Sequence, residues 1–141
     1  MRYKNFKEWV DQVPNYLKRD MVWHLVIYQK SVFLNDLAWE DCGKLMHNPR
    51  GKAISGQLIR SMGSISANIE EGYGRGFGKD YARFLRIATG SARESRGWYH
   101  RGRFILGEDL VTHRINLLDQ IISGLVKIER QQKISALSKN R

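Results

Sequence analysis

Apolar residues recur every three or four positions along almost the whole chain of 141 residues. This is the repeat of amphipathic helices, whereas a half-buried strand alternates at every second position. A chain of this length forms one domain with an ordinary hydrophobic core. The spacing of apolar residues therefore predicts an all-α protein.

The repeating pattern divides into four long segments, which we predict to be helices joined by short connections. Asn48 followed by Pro49 marks one helix start, because asparagine caps helices and proline fits the first helical position. Long helices with short connections imply an up-down-up-down four-helix bundle. The predicted helices cover residues 16–44, 49–71, 78–106 and 108–132.

The remaining residues form two short appendages to the predicted bundle of residues 16–132. Residues 1–15 carry apolar side chains at helical spacing up to Pro14, so we predict a helical N-terminal extension. Residues 133–141 are polar, and we predict a C-terminal tail there. The amino-terminal residues are charged throughout, and the apolar run 22–28 is too short to span a membrane. We expect a cytoplasmic protein without membrane contact.

Several glycines lie within or next to the predicted helices. Gly72 is expected to end the second helix with a positive φ. Gly56 and Gly63 are expected to permit close approach of a neighbouring helix. The segment from Gly72 to Gly78 has glycine at every second position, but this spacing matches no phosphate-binding loop. We predict a flexible turn there.

Side chains that could carry out chemistry are few. The single cysteine, Cys42, has no activating partner, and we predict that it fills the core. The four histidines lack the spacing of metal-ligand pairs. No nucleophile, base and oxyanion-binding group come together in the sequence. We therefore predict no enzymatic activity, no cofactor and no metal site.

Positive charge is concentrated in one part of the chain. The net charge is +10, with 24 Lys and Arg residues against 14 Asp and Glu residues. Residues 75–103 alone carry eight basic and two acidic side chains, a net charge of +6. A localised positive field attracts polyanions, so this segment is the candidate nucleic-acid interface.

Most of these basic residues share one face of the third predicted helix. At 100° per residue, five of them fall within about 40° of one line, and Arg75 joins them if it too is helical. Gly90 and Gly97 lie on the same line and leave nothing bulky there. A solvated outer face is the alternative interpretation, although such faces usually carry acidic partners one turn away. Arg96 and Arg103 lie off this line. The residues that we predict to bind nucleic acid are Arg75, Lys79, Arg83, Arg86, Arg93, Arg96, Arg101 and Arg103.

Two aromatic residues lie among these arginines. Trp98 and Tyr99 could stack on exposed bases while neighbouring arginines neutralise phosphate. The alternative is that both side chains pack inside the bundle or at a contact between subunits.

Residues 54–94 carry a more specific pattern, in three segments of fixed order and spacing. The segments are ISGQLIR followed by SISANIEEGYGR, then KDYARFL, then IATGSARE. Together they resemble the four-helix-bundle proteins encoded in 23S rRNA intervening sequences. Residues 1–50 resemble that family poorly. Phe77 stands where the family usually has a serine that would cap the third helix.

The resemblance implies a closed four-helix protomer that assembles into a ring-like homopentamer without enzymatic activity. Relatives include the accessory variability determinant of diversity-generating retroelements, which binds nucleic acid and a reverse transcriptase. The same resemblance implies structural roles for Asn68, Glu71, Gly72 and Glu94. It offers no catalytic residues.

Together, the charge pattern and the resemblance predict a basic, homo-oligomeric accessory protein that contacts the phosphates of RNA or an RNA–DNA hybrid. Such contacts are strongly salt-dependent and weakly sequence-specific. The alternative is a protein-docking scaffold subunit of a reverse transcriptase complex.

Overall fold

All the regular structure in residues 2–139, the part of the chain that the computed structural model describes, is helical. The prediction of an all-α protein is therefore confirmed. The segments are α1 (Phe6–Gln12), α2 (Asn15–Lys18), a 3₁₀ helix (Met21–His24), α3 (Val26–Leu45), α4 (Pro49–Gly74), α5 (Lys79–Arg101), α6 (Arg103–Leu106) and α7 (Glu108–Lys139).

The four long helices surround one apolar core. Helix α3 packs against α4, α4 against α5, and α5 against α7, and α7 returns to α3. Leu34, Leu58, Leu85 and Leu118 are fully buried, one from each helix, as the apolar period predicts. None of the helices within residues 2–139 combines the length and the apolar composition that crossing a membrane requires.

Helix α4 begins where the sequence predicts. The side chain of Asn48 accepts a hydrogen bond from the backbone nitrogen of Arg50, at 2.9 Å, and Pro49 occupies the first helical position. The cap satisfies a backbone donor that the first turn leaves without a partner.

The prediction of the first long helix, over residues 16–44, is wrong in its amino-terminal third. Instead of one helix over residues 16–44, the chain forms α2 and the 3₁₀ helix before α3. The Asp20 carboxylate accepts a hydrogen bond from the backbone nitrogen of Val22, at 3.0 Å, and Leu25 is extended. These features break the helical path and bury Trp23 against Trp9, with ring centroids 6.0 Å apart.

The N-terminal extension packs on the chain's own core. Helix α1 is capped by Asn5 and ends before Pro14. Trp9 is buried, and its indole nitrogen donates to the Asp36 carboxylate of α3 at 2.7 Å. The ring of Trp9 also contacts Phe33, at a centroid distance of 5.4 Å. Helix α1 is thus attached to α3 by aromatic packing and a charge-assisted hydrogen bond.

Two further helix ends differ from the sequence prediction. The third predicted helix divides at Gly102 into α5 and α6, and Gly107, with φ of 88°, separates α6 from α7. Helix α7 continues to Lys139 instead of ending near Gln132, because the segment that follows contains good helix formers. Residues 140 and 141 of the predicted tail lie outside the described part of the chain.

The glycine predictions for α4 are wrong in an informative way. Gly72 is helical, and the positive φ values of this turn occur at Gly76 and Gly78. A Cβ atom on Gly72 would lie 2.7 Å from Cβ of Phe84, so this glycine is where α4 and α5 approach closely. A Cβ atom on Gly56 would meet no neighbouring atom within 4 Å, and one on Gly63 would lie 3.9 Å from its nearest neighbour, so neither glycine is needed for close helix packing.

Gly72→Ala is expected to lower the free energy of unfolding by about 1–2 kcal/mol. The added methyl group meets the rigid Cβ of Phe84, and this overpacking outweighs the gain in helix propensity of about 1 kcal/mol. Gly56→Ala is the matched control, because its methyl group enters open space in the same helix. It should raise the free energy of unfolding by about 0.5–1 kcal/mol. Urea denaturation measures both, and equal effects would contradict the close-packing role.

Candidate nucleic-acid interface

Helix α5 carries a continuous line of exposed cations on its outer face, which we call the basic ridge. At 1.5 Å per residue the ridge extends about 33 Å. Tyr81, Leu85 and Ala92 point from the opposite side of the same helix into the core. The basic ridge consists of Lys79, Arg83, Arg86, Arg93 and Arg101, and all five residues are exposed.

Arg75 does not belong to the basic ridge, contrary to the sequence prediction. It is the C-terminal cap residue of α4, and its guanidinium pairs with Glu71 one turn earlier, at 3.0 Å. Positive φ values at Gly76 and Gly78 redirect the chain before α5 begins. The helical phase therefore does not continue from Arg75 into α5.

The two predicted residues that lie off the line also have carboxylate partners. Arg96 pairs with Asp119 of α7 at 2.7 Å. Arg103 lies 3.9 Å from Glu108 and donates to the backbone oxygen of His100 at 3.0 Å. Their charges are partly neutralised within the protein.

The basic ridge is largely free of such partners. Arg86 lies 3.9 Å from Glu129, a carboxylate that Lys133 contacts at 2.9 Å. No Asp or Glu oxygen of the described residues lies within 4.0 Å of the cationic nitrogens of the other four ridge residues. The unneutralised charge of this segment is therefore concentrated along one line, where a polyanion could approach it. The four residues are Lys79, Arg83, Arg93 and Arg101.

The two aromatic residues of this region have different environments. Tyr99 is fully buried, and its hydroxyl donates to Asp41 at 2.7 Å, so it cannot stack on a base and the packing alternative holds. Trp98 is half-buried, and its indole nitrogen donates to Glu94 at 3.2 Å. The guanidinium of Arg101 lies over the Trp98 ring, 4.9 Å from its centroid. Base stacking by Trp98 stays a prediction.

Two shallow hollows flank the basic ridge on the side of α7. One has a volume of about 500 Å³ and is lined by Lys79, Arg83 and Arg86 together with Lys133 and Leu137 of α7. The other has a volume of about 480 Å³ and is lined by residues that include Arg93, Arg101 and Ile115. Each hollow therefore combines ridge cations with apolar surface.

The motif residues of the resemblance lie at or near the contact between α4 and α5. The side-chain nitrogen of Asn68 donates to the backbone oxygen and hydroxyl of Ser64, at 2.7 and 2.9 Å. The Ser64 hydroxyl also accepts a hydrogen bond from Ser91 of α5 at 2.9 Å. Gly72 lets Phe84 approach, and Glu71 and Glu94 bond within their own helices. The Ser64–Ser91 hydrogen bond and the close approach at Gly72 join α4 to α5, whose basic ridge faces outward.

The single cysteine and the metal-ligand types of the described residues can be placed in the fold. The Cys42 thiol lies in the core, and burial raises its pKa. Residues 2–139 contain no group of three or more His, Cys, Asp or Glu side chains placed to hold a metal ion.

Sequence reasoning missed a buried ionic network between α3, α5 and α7. The guanidinium of Arg114 contacts both carboxylate oxygens of Asp41, at 2.7 and 3.0 Å, and both residues are almost fully buried. Burial, and then the Asp41 charge, raise the pKa of the Tyr99 hydroxyl that bonds this carboxylate. The His113 ring bonds Arg114 at 2.7 Å, and burial followed by the Arg114 charge lowers its pKa. The sequence does carry a signal for this network, because Asp41 and Arg114 have opposite charges and each occupies a core position in an apolar helical stripe.

The fold and the ridge define a class of protein: a small all-α chain with one basic helical face. A comparison with curated proteins finds no match. The chain belongs to the 23S rRNA-intervening sequence protein family, whose model matches residues 24–127. The family resemblance of residues 54–94 is thereby confirmed.

A solved structure has the same fold over most of the chain. It is the crystal structure of a protein with unknown function from the S23 ribosomal protein family of Bacteroides thetaiotaomicron VPI-5482. The two chains are 23% identical, and their TM-score is 0.68. The likeness covers 73% of this chain and 97% of the other.

Proposed function

We propose that this chain is a non-enzymatic protein that binds the phosphates of RNA or of an RNA–DNA hybrid through the basic ridge. The observation that carries the proposal is the alignment of exposed cations along about 33 Å of α5, four of which have no carboxylate partner among residues 2–139.

The chemistry of the ridge favours backbone recognition over base recognition. Arginine and lysine side chains on one exposed line can neutralise successive phosphates and release their counterions. Phosphate contacts position a protein but carry no direct sequence information. The expected binding is therefore tolerant of sequence and sensitive to salt.

Assembly into a homo-oligomer, a pentamer by family resemblance, is the second part of the proposal. Large apolar side chains on the outer surface support it, among them Trp39, which is 72% exposed, and Met46. A ring would repeat the basic ridge around an axis and multiply weak phosphate contacts through avidity. Sedimentation analysis tests this part: a monomer at micromolar concentration would contradict it.

The salt dependence of RNA binding tests the role of the ridge. We expect the logarithm of the binding constant for a labelled RNA hairpin to fall linearly with the logarithm of salt concentration. Five phosphate contacts by one ridge predict a slope of about −3.5 to −4.5. Arg83→Gln combined with Arg93→Gln should reduce its magnitude by about 1.4–1.8. Fluorescence anisotropy between about 0.05 and 0.3 M salt, where such electrostatic contacts are screened progressively, measures the slope.

The matched control removes two exposed lysines from other helices, with Lys7→Gln and Lys44→Gln. Both double variants lower the net charge equally, so a nonspecific charge effect would change both slopes alike. An unchanged slope in the ridge variant would contradict the proposal.

Docking of a protein partner, such as a reverse transcriptase, is the second candidate function. The hollow of about 500 Å³ beside the ridge favours it, because Ala82, Ala136 and Leu137 provide apolar lining and Leu137 is exposed. Affinity capture from the host with and without nuclease separates the candidates. A reverse transcriptase retained after nuclease treatment, and lost with Leu137→Asp, supports docking.

A further inference from the structure

A third concave site lies between the segment of residues 16–20 and the long helices, away from the basic ridge. It has a volume of about 300 Å³. Tyr16 of α2 and Asp20, the residue before the 3₁₀ helix, line it on one side, and Tyr28, Glu70 and Tyr73 line it from α3 and α4. Two accessible tyrosines, Tyr16 and Tyr73, and two carboxylates thus border one pocket in a chain whose net charge is +10, and the buried Tyr28 lies beneath them.

We propose that this pocket binds an organic ammonium ion, either as a free small molecule or as the head of a modified lysine side chain. Aromatic rings attract alkylammonium groups through their electron-rich faces, and several rings around one group form the cage that recognises such cations. The carboxylates of Asp20 and Glu70 supply the negative charge that a neutral apolar pocket lacks.

The two carboxylates have no cationic partner in the described part of the chain. Asp20 accepts from the backbone nitrogen of Val22, and Glu70 accepts from the Tyr28 hydroxyl at 2.6 Å. Among residues 2–139, no Lys, Arg or His nitrogen lies within 4.0 Å of either carboxylate. Both negative charges therefore remain available to a cation from solution.

The inner wall of the pocket is organised before any ligand arrives. Tyr28 meets Trp23 edge to face, at a centroid distance of 6.5 Å, and Tyr73 meets Tyr81 in the same way at 6.1 Å. Tyr16, which is 67% exposed, forms the outer wall. Fixed rings reduce the ordering cost of binding, so the geometry suits a small rigid cation.

The pocket depends on residues that precede the family match. The match begins at residue 24, whereas Tyr16 and Asp20 belong to the segment before it. The break of the helical path at Asp20 is what places this segment beside α3 and α4. The ammonium site is therefore a property that residues 16–20 add to the family fold.

Choline and its uncharged analogue 3,3-dimethylbutan-1-ol test the proposal, because the two molecules share a shape and differ in charge. We expect choline to bind at least about fivefold more tightly, as measured by NMR titration of the tyrosine ring signals. Tyr16→Leu should weaken choline binding by about fivefold. Asp20→Asn combined with Glu70→Gln should weaken it similarly, because both changes retain the hydrogen-bond acceptors and remove the charges.

Controls separate this site from folding and from the basic ridge. Asp11→Asn removes an exposed carboxylate of the N-terminal extension, and it should leave choline binding unchanged. RNA binding should also be unchanged in the pocket variants, so this site can fail without affecting the proposed function. Tighter binding of a trimethyl-lysine peptide than of choline would identify a modified lysine as the source of the ammonium group. Tighter binding of choline would identify a free small molecule as its source. Equal affinity for the uncharged analogue, no choline binding, or variants that bind normally would overturn the proposal.

Discussion

Arg114→Met is expected to lower the free energy of unfolding by about 3–5 kcal/mol. The guanidinium holds both oxygens of Asp41 in the core, and its removal leaves a buried carboxylate whose remaining side-chain partner is Tyr99. Charges in the interior are costly unless they are paired and hydrogen-bonded. Urea denaturation followed by far-UV circular dichroism measures the loss.

A double variant separates the loss of a contact from the cost of an unpaired charge. Asp41→Leu combined with Arg114→Met removes both charges, and it should cost less than Arg114→Met alone. The exposed pair of Arg96 and Asp119 is the matched control, and Arg96→Met should cost at most about 1 kcal/mol. Equal losses from the buried and the exposed arginine would contradict the role of burial.

The second large effect is expected at the basic ridge. Arg83→Glu, Arg86→Glu and Arg93→Glu together should weaken binding of an RNA hairpin by about 100-fold or more at about 0.1 M salt, because at least three phosphate contacts are lost. The helical content should not change, because the three side chains are exposed and their only ion pair is the 3.9 Å contact of Arg86. Fluorescence anisotropy and circular dichroism measure the two properties.

The control for this variant reverses three lysines of other helices, with Lys7→Glu, Lys44→Glu and Lys52→Glu. The net charge changes by the same amount, so any difference between the two variants reports the position of the charges. Equal loss of RNA binding in both would show that the total charge matters and the ridge does not.

The long helices could be predicted from the sequence because their apolar period is strong and their starts carry recognisable caps. The break before α3 could not, because Met21 and Val22 continue the two apolar stripes that run through Leu25 and Val26. The Asp20 cap and the contact between Trp23 and Trp9 outweigh that local preference. The end of α7 could not be predicted from polar composition, because a polar segment with good helix formers can extend a helix.

The candidate interface could be predicted where it depends on helical phase alone. Lys79 to Arg101 lie in one helix, so their common face follows from 100° per residue. Arg75 precedes a turn in which two residues have positive φ, so the helical phase of α5 cannot be extended back to it. The burial of Tyr99 depends on Asp41, far away in the sequence, so only the three-dimensional structure could decide between stacking and packing.

The spacing of the basic ridge places α5 under self-repulsion. Lys79 and Arg83 are four residues apart, and Arg83 and Arg86 are three apart, so neighbouring like charges destabilise the free helix by a few tenths of a kcal/mol per pair. Added salt screens this repulsion and at the same time screens attraction to a polyanion. Higher ionic strength thus stabilises α5 in the free protein and promotes dissociation of the complex. In the complex, the phosphates of the bound polyanion reduce the repulsion between ridge cations, as salt ions do in the free protein.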